Sequence, residues 1–325
     1  MPNIITHTLF SQDLLSQLPD DKKDLFEGRH QLFEIGSNGP DFLFFHGLSP
    51  RHFIKNSKLR AFGSKAHASH VNDFYQSAIQ SILNEEDEEI KKDMIVYLCG
   101  HLCHWALDSC AHPYIFYRTG DCHGKSAWWH HRFESCMDSI MLKVKRDCTI
   151  QEFRAYTVSQ PSLDIARAIA RVYVPFLNTV LNGNVKPHQI LESLNDWCDI
   201  QKILYDPTGR KFNSILNMEN LVNKESILSG FFVPKDAEDP FDTMNLLRKT
   251  WVHPCDDTIT SNETFFEIYD RALVIANKAV QLFLDALENL ESVQSLLDFI
   301  RDRNYNTGLN KELPMIYFDL VFEDE

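Results

Sequence analysis

The sequence predicts an all-α protein, a multi-helix bundle with additional helices towards its C-terminal end. Two observations carry that expectation. Apolar residues recur at three- and four-residue spacing through long stretches, as the buried face of a helix requires. Strand signals are sparse, and the chain holds no internal repeat or low-complexity tract. With 325 residues, 44% of them hydrophobic, it is long enough to bury a large core. The expected organisation is one domain over 1–325, with a core over 1–182 that holds the candidate metal site and a helical extension over 183–325.

Taken in order, residues 3–18 carry Ile4, Ile5, Leu9, Leu14, Leu15 and Leu18 at helical period and stop at Pro19. Residues 21–35 read as a second short helix, and Ser37-Asn-Gly-Pro as a turn that delivers Asp41 into the apolar run DFLFFH. The basic stretch 48–63 reads as irregular, followed by one helix from about Lys65 to Asn84. The acidic run NEEDEE opens the next helix, since negative charge suits the positive end of the helix dipole. Pro113 disfavours helical geometry at His112, so that helix is expected to end near Ala111. Ser126 reads as the N-cap of a helix through about Lys145. Residues 162–182, 187–204, 262–289 and 291–302 read as amphipathic helices. Between them, 205–260 reads as loops and short helices, a candidate lid, and the final PMIYFDLVFEDE as a strand or extended tail.

The chemistry is concentrated near the start. Twelve of the fourteen histidines fall in the first 131 residues. In GHLCHWALDSCAHPY, His104, Asp108 and His112 stand four residues apart; in WWHHRFESCMD, His130 precedes Glu134 by four. That spacing stacks side chains on one helix face, and imidazole and carboxylate are the ligands of zinc and its neighbours. A lone histidine on a half-apolar helix is ordinarily packing, but this density of pairs is not explained that way. Burying Asp108 and Glu134 without partners costs several kcal/mol, which a metal removes. The candidate ligands are His7, Asp41, His67, His104, Asp108, His112, His130 and Glu134. Eight are too many for one zinc, which takes about four. Two or three ions must share them, with Asp108 as the natural bridging carboxylate, an arrangement suited to phosphoester hydrolysis. His101 reads as support beside His104, and His70 as the best substitute for His67. His46, His123 and His131 lie near proposed ligands, whereas His52, His188 and His253 read as surface or core. Trp128 and Trp129 read as core rather than substrate-stacking residues.

Bulk properties narrow the partners. A net charge of −14 argues against extended nucleic acid, which needs a basic footprint. The eight cysteines form no CxxC pair and no disulfide-type framework. The start MPNIITHTLF lacks a basic segment followed by a long apolar run, so no signal peptide and a cytoplasmic location are expected. No apolar stretch approaches the ~20 residues of a membrane span. No obligate protein partner is evident.

The blocks THTLF, GPDFLFFH, GSKAH, GHLCHWALDSCAHPY and HHRFESCMD together resemble the bacterial zinc-dependent phospholipase C family, related to the fungal single-strand-specific zinc nucleases. The likeness covers roughly residues 1–145, in the family's order, extends to the helix near 162–182, and is closest to a branch without secretion signals. It implies an all-α fold, two or three zinc ions, and cleavage of phosphodiesters by a metal-activated water. His7 would hold one zinc with Asp108. Asp41, His67 and His104 would hold a second with the same Asp108, and His112, His130 and Glu134 a third. Asp41 would be the catalytic group that orients the water or takes its proton. The chain departs from the secreted members in starting Met1-Pro2, where they use the mature N-terminal residue as a ligand, and in a shorter gap between Asp108 and His112. The expected substrate is a phospholipid, met at a transient membrane surface, or a small phosphodiester. The alternatives are a zinc nuclease or nucleotidase, and a non-catalytic metal-binding protein.

Overall fold

A computed structural model describes residues 4–50, 57–222, 227–289 and 292–322. Among them the fold is all-α, as expected. The first half contains α1 (Ile4–Gln17), α2 (Asp20–Lys23), α3 (His30–Gly36), α4 (Lys58–Ala68), α5 (Val71–Leu83), α6 (Glu88–Thr119) and α7 (Lys125–Arg146). The second half adds α8 (Leu163–Thr179), α9 (Pro187–Leu204), α10 (Arg210–Val222), α11 (Phe265–Glu288) and α12 (Val293–Ile300). One antiparallel hairpin, β1 (Trp251–His253) with β2 (Asp256–Ser261), is the sole sheet among the described residues.

Helix α6 is the axis. Its N-cap Asp87 accepts from the Glu89 and Ile90 amides, and Glu88 and Glu89 fill its acidic first turn. From Val96 to Phe116 every residue is buried, so no polar face is left for water. Helices α3, α7, α8 and α11 pack around it, and α1 lies against both α6 and α7.

Several expectations need correction. Pro113 does not end the helix: α6 runs through it to Thr119, so His112 sits in a continuous helix rather than at a fraying end. The cost of a proline is a missing N–H and a crowded carbonyl at i−4, and burial on all sides outweighs it here. The expected helix 65–84 is two helices broken at Ser69 and His70, where His70 takes a left-handed φ of 63°. Helix α4 begins at Lys58, capped by the Ser57 hydroxyl, inside the stretch read as irregular. Helix α7 starts one residue before Ser126. The Ser126 hydroxyl donates to the Thr119 carbonyl at 2.5 Å and accepts from the Cys122 amide at 2.9 Å, tying α6 to α7 across the loop. The 205–260 stretch holds α10 and most of the hairpin. Residues 314–320 of the tail form neither helix nor strand.

Asp138 on α7 is fully buried and caps α1 from a distance. Its oxygens accept from the Ile5 amide (3.1 Å), the Thr6 amide (2.8 Å) and the Thr6 hydroxyl (2.6 Å). These are donors that the first turn of a helix cannot satisfy internally. Burial pushes the Asp138 carboxyl up to about 7, against the pull of the Thr6 and Ile5 donors. The folded chain therefore keeps a proton that the unfolded chain releases near 3.8. Between these values the folded state binds more protons, so this group's contribution to stability falls as pH rises. Denaturant unfolding of the wild type and Asp138→Asn across that range checks this. The wild type should lose stability relative to the variant as pH rises towards 7, and parallel profiles would contradict it.

Candidate metal centre

Five separate elements deliver the eight candidate residues to one place. His7 comes from α1, Asp41 from a short 3-10 turn (Asp41–Phe45), and His67 from the last turn of α4. His104, Asp108 and His112 lie along α6, and His130 and Glu134 along α7. All eight are buried. They form three trios whose ligand atoms lie within 4.8 Å of one another: His7–His104–Asp108, Asp41–His67–His104 and His112–His130–Glu134.

The Asp108 carboxylate is the hub. Its Oδ1 stands 3.1 Å from His7 Nε2, and its Oδ2 stands 3.1 Å from His104 Nε2 and 3.7 Å from His112 Nδ1. Asp41 Oδ1 lies 2.9 Å from His67 Nε2 and 3.6 Å from His104 Nε2. Glu134 Oε1 is 3.2 Å from His130 Nε2 and 3.6 Å from His112 Nε2. Tetrahedral ligands ~2.1 Å from a zinc ion stand about 3.4 Å from each other, so these spacings match those of ligands around a cation.

Hydrogen bonding gives an independent test of that fit. Both ring nitrogens of His7 and His104, both oxygens of Asp108 and Nε2 of His112 are buried and make no hydrogen bond of acceptable geometry among the described residues. Buried polar atoms are ordinarily satisfied, because leaving one unpaired costs about 1–3 kcal/mol. A concentration of such atoms on facing imidazoles and one carboxylate is what cation ligands show in the absence of the cation. The chemistry of the donor set, nitrogen and carboxylate oxygen, fits zinc.

Electrostatics points the same way. Burial raises the Asp108 carboxyl, but the facing His104, His112 and His7 outweigh it and hold the group well below the usual carboxylate range. Glu134 follows the same pattern, with His130 the main counterweight to burial. Burial drives His104 well below the usual histidine range and His130 down to about 4. Neutral imidazoles beside ionised carboxylates are the protonation states that bind a metal. Asp41 differs, because burial raises it more than His67 lowers it.

Ring orientation is set locally. His67 Nδ1 faces the Gly63 carbonyl one turn back at 2.9 Å, and since a carbonyl only accepts, that nitrogen carries the proton. His112 Nδ1 likewise donates to the Tyr305 carbonyl at 2.7 Å. His130 Nδ1 lies 3.2 Å from the Thr119 hydroxyl, which itself donates to the Ile115 carbonyl and so accepts from the ring. Each leaves Nε2 turned inward. Gly39, at φ +52°, lets the turn before Asp41 pass over His104: a Cβ there would stand 2.2 Å from the imidazole Cδ2.

The other histidines separate by environment. His101 is buried beside His104, its nitrogens 3.0 Å from the Tyr75 and Tyr173 hydroxyls, and burial lowers it to about 3. His131 Nδ1 is 3.7 Å from Glu134 Oε2, and its ring stacks on Phe231 at 3.8 Å. His70 is exposed and paired with Asp73, so it does not replace His67. His46 lies between Ser57 and Glu192, His123 is exposed at the cleft, and His188 is exposed on α9. His253 is buried against the Thr307 carbonyl. Trp129 is buried, and Trp128 bonds Ser229. Met1, Pro2 and His52 lie outside the described residues.

Sequence reasoning missed Asp138, which fixes the start of α1 and so the approach of His7. Its signal was present, since His130, Glu134 and Asp138 continue one stripe at four-residue spacing. It also missed Tyr305, for which the sequence carries no signal.

The His67, His112 and His130 side of the centre opens into a cleft of about 800 Å³. Its walls include Phe44, Phe45, Leu48, Phe116, Phe231 and Met315, and among the described residues its lining includes no lysine or arginine.

Asp108→Asn should lower bound zinc by at least one equivalent, measured by elemental analysis of folded protein, because the amide has one oxygen where the carboxylate has two. Unchanged metal content would contradict the bridging role.

The chain matches the zinc dependent phospholipase C family over residues 6–183. No curated protein and no solved structure matches it. The matched span includes every one of the eight converging residues and more than half of the chain, and the protein belongs to the zinc-dependent phospholipase C family.

Proposed function

We propose that the protein is a phosphodiester hydrolase of phospholipase C type with a multinuclear zinc centre. The carrying observation is that three trios of imidazole and carboxylate groups lie together beside one aromatic cleft. Asp41, His67 and His104 would hold one zinc, His7 a second, and His112, His130 and Glu134 a third. Asp108 would bridge the first two, since its two oxygens face His104 and His7 separately. Zinc held there lowers the pKa of a water and offsets charge on phosphate oxygens.

The side chains supply the rest. Asp41, its carboxyl raised by burial and its Oδ1 facing His67 and His104, would take the proton of the attacking water. His67 Nε2 faces Asp41 Oδ1 at 2.9 Å, and the proton on its Nδ1, given to the Gly63 carbonyl, keeps that nitrogen free to hold zinc beside Asp41. Phe44, Phe45, Phe116 and Phe231 receive the apolar part of the substrate and exclude water around the phosphate.

That wall supports a phosphodiester bearing an apolar group, a phospholipid or a smaller analogue. The absence of cationic lining among the described residues and the net charge of −14 oppose extended nucleic acid. Exposed Leu246 and Leu247 beside Arg248 and Lys249 support transient contact with a membrane surface. Among the described residues, no helix is long and apolar enough to cross a membrane. The eight cysteines are all unpaired, which supports a reducing, cytoplasmic setting.

Zinc-loaded protein assayed on choline phospholipid vesicles, a chromogenic phosphodiester and a single-stranded oligonucleotide tests this reading. Release of a phosphorylated head group or hydrolysis of the chromogenic ester is expected, with the oligonucleotide intact. Cleavage of the oligonucleotide alone would replace this reading by a nuclease, and inertness towards all three would refute it. Asp41→Asn should lower kcat by about 10²–10⁴-fold, and wild-type turnover in that variant would remove Asp41 from its role.

A further inference from the structure

We propose that the loop over residues 303–309, beyond the matched span 6–183, is a built support of the metal centre, with Tyr305 as its positioning residue. The proposal rests on the zinc reading of the site given above. The loop is anchored at several points. Trp105 Nε1 donates to the Arg303 carbonyl at 2.9 Å, and the Arg303 guanidinium lies 4.8 Å from the Trp105 ring centre. Asn304 Oδ1 accepts from the Thr307 amide (2.8 Å) and hydroxyl (3.0 Å), while its Nδ2 donates to the Leu309 carbonyl (2.9 Å). His253 Nε2 donates to the Thr307 carbonyl at 2.9 Å. Gly308, at φ +65°, sits directly on α6: a Cβ there would stand 2.3 Å from the Ser109 carbonyl oxygen. That carbonyl is four residues before Pro113, which has no N–H to offer it. The proline that failed to end α6 thus stands where the loop docks.

Held this way, Tyr305 reaches members of all three trios, since His104 belongs to two of them. Its carbonyl accepts from His112 Nδ1 at 2.7 Å. Because a carbonyl cannot donate, this fixes the tautomer of His112 and leaves the Nε2 lone pair facing the Glu134 side, 3.6 Å from Oε1. The Tyr305 amide donates to the His67 carbonyl at 3.0 Å. Its buried ring lies 5.2 Å from the His67 ring and 5.4 Å from the His104 ring, limiting their rotation. Groups that fix the far nitrogen of a ligating histidine typically change metal affinity by 10–100-fold. The family-matched segment supplies the candidate ligands, and a distant segment holds one of them in the form that binds.

The test uses the full chain with zinc alone as the probe. Asn304→Ala and Gly308→Val loosen or lift the loop without altering a candidate ligand. Zinc affinity by competition with a chromogenic chelator, stoichiometry by elemental analysis, and folding by circular dichroism are measured together. A folded variant should show one class of site weakened by about 10–100-fold, with the remaining zinc bound as in the wild type. Wild-type affinity at every site overturns the proposal. Should Gly308→Val not fold, Asn304→Ala decides. Nitrogen-15 NMR of the zinc-loaded wild type decides without any variant: His112 should carry its proton on Nδ1, and a proton on Nε2 overturns the assignment. A wild type that binds no zinc overturns the metal reading and this proposal with it. Full stoichiometry and affinity in wild type and variants overturn the loop's role alone.

Discussion

An ionised carboxylate at the centre of a buried helix governs the rest of this structure. Asp108 has no access to solvent, and its oxygens face three imidazoles without a proper hydrogen bond among the described residues. Isolated in a low-dielectric interior, such a group would neutralise itself or unfold its surroundings. The facing imidazoles could hold it ionised as cations, yet burial keeps His104 neutral. The arrangement is consistent once positive charge that is not a proton belongs there, and the family supplies zinc in that part. The same logic at Glu134, between His112 and His130, repeats the solution one helix away.

The fold is arranged to bring these groups together from chain positions more than a hundred residues apart. α6 contributes three of them because it is buried on every side and can turn one stripe towards α1, α4 and α7. α1 arrives with its first turn capped by Asp138, so His7 is held by α7 even though no bond joins those two residues. The precision falls to backbone carbonyls, Gly63 for His67 and Tyr305 for His112, which select a tautomer more reliably than flexible side chains do. The centre then meets solvent through an aromatic cleft, the wall on which the proposed phosphodiester would rest.

Much of this was legible in the sequence. The eight converging residues were readable because helical i, i+4 spacing places HxxxDxxxH and HxxxE on single faces whatever surrounds them, and the family's block order supplied His7, Asp41 and His67. Helix boundaries were less legible wherever tertiary context overrides local preference. Pro113 is a helix breaker in isolation, but in α6 its neighbours are packed on all sides. His70 gives no local sign of a left-handed turn, and its pairing with Asp73 becomes evident only when the chain is folded. The Tyr305 contact is a backbone carbonyl meeting a side chain 193 residues away. No residue type encodes such a contact, because every residue has a carbonyl.

Crystals of protein purified without chelators, with anomalous differences collected on both sides of the zinc edge, test the central claim most directly. The account predicts zinc-specific density beside Asp108, between its oxygens and the imidazoles of His7 and His104, and a further peak within His112, His130 and Glu134. Zinc-free density at these positions in a folded, zinc-supplemented protein, with the side chains joined by ordinary hydrogen bonds or water, would contradict it.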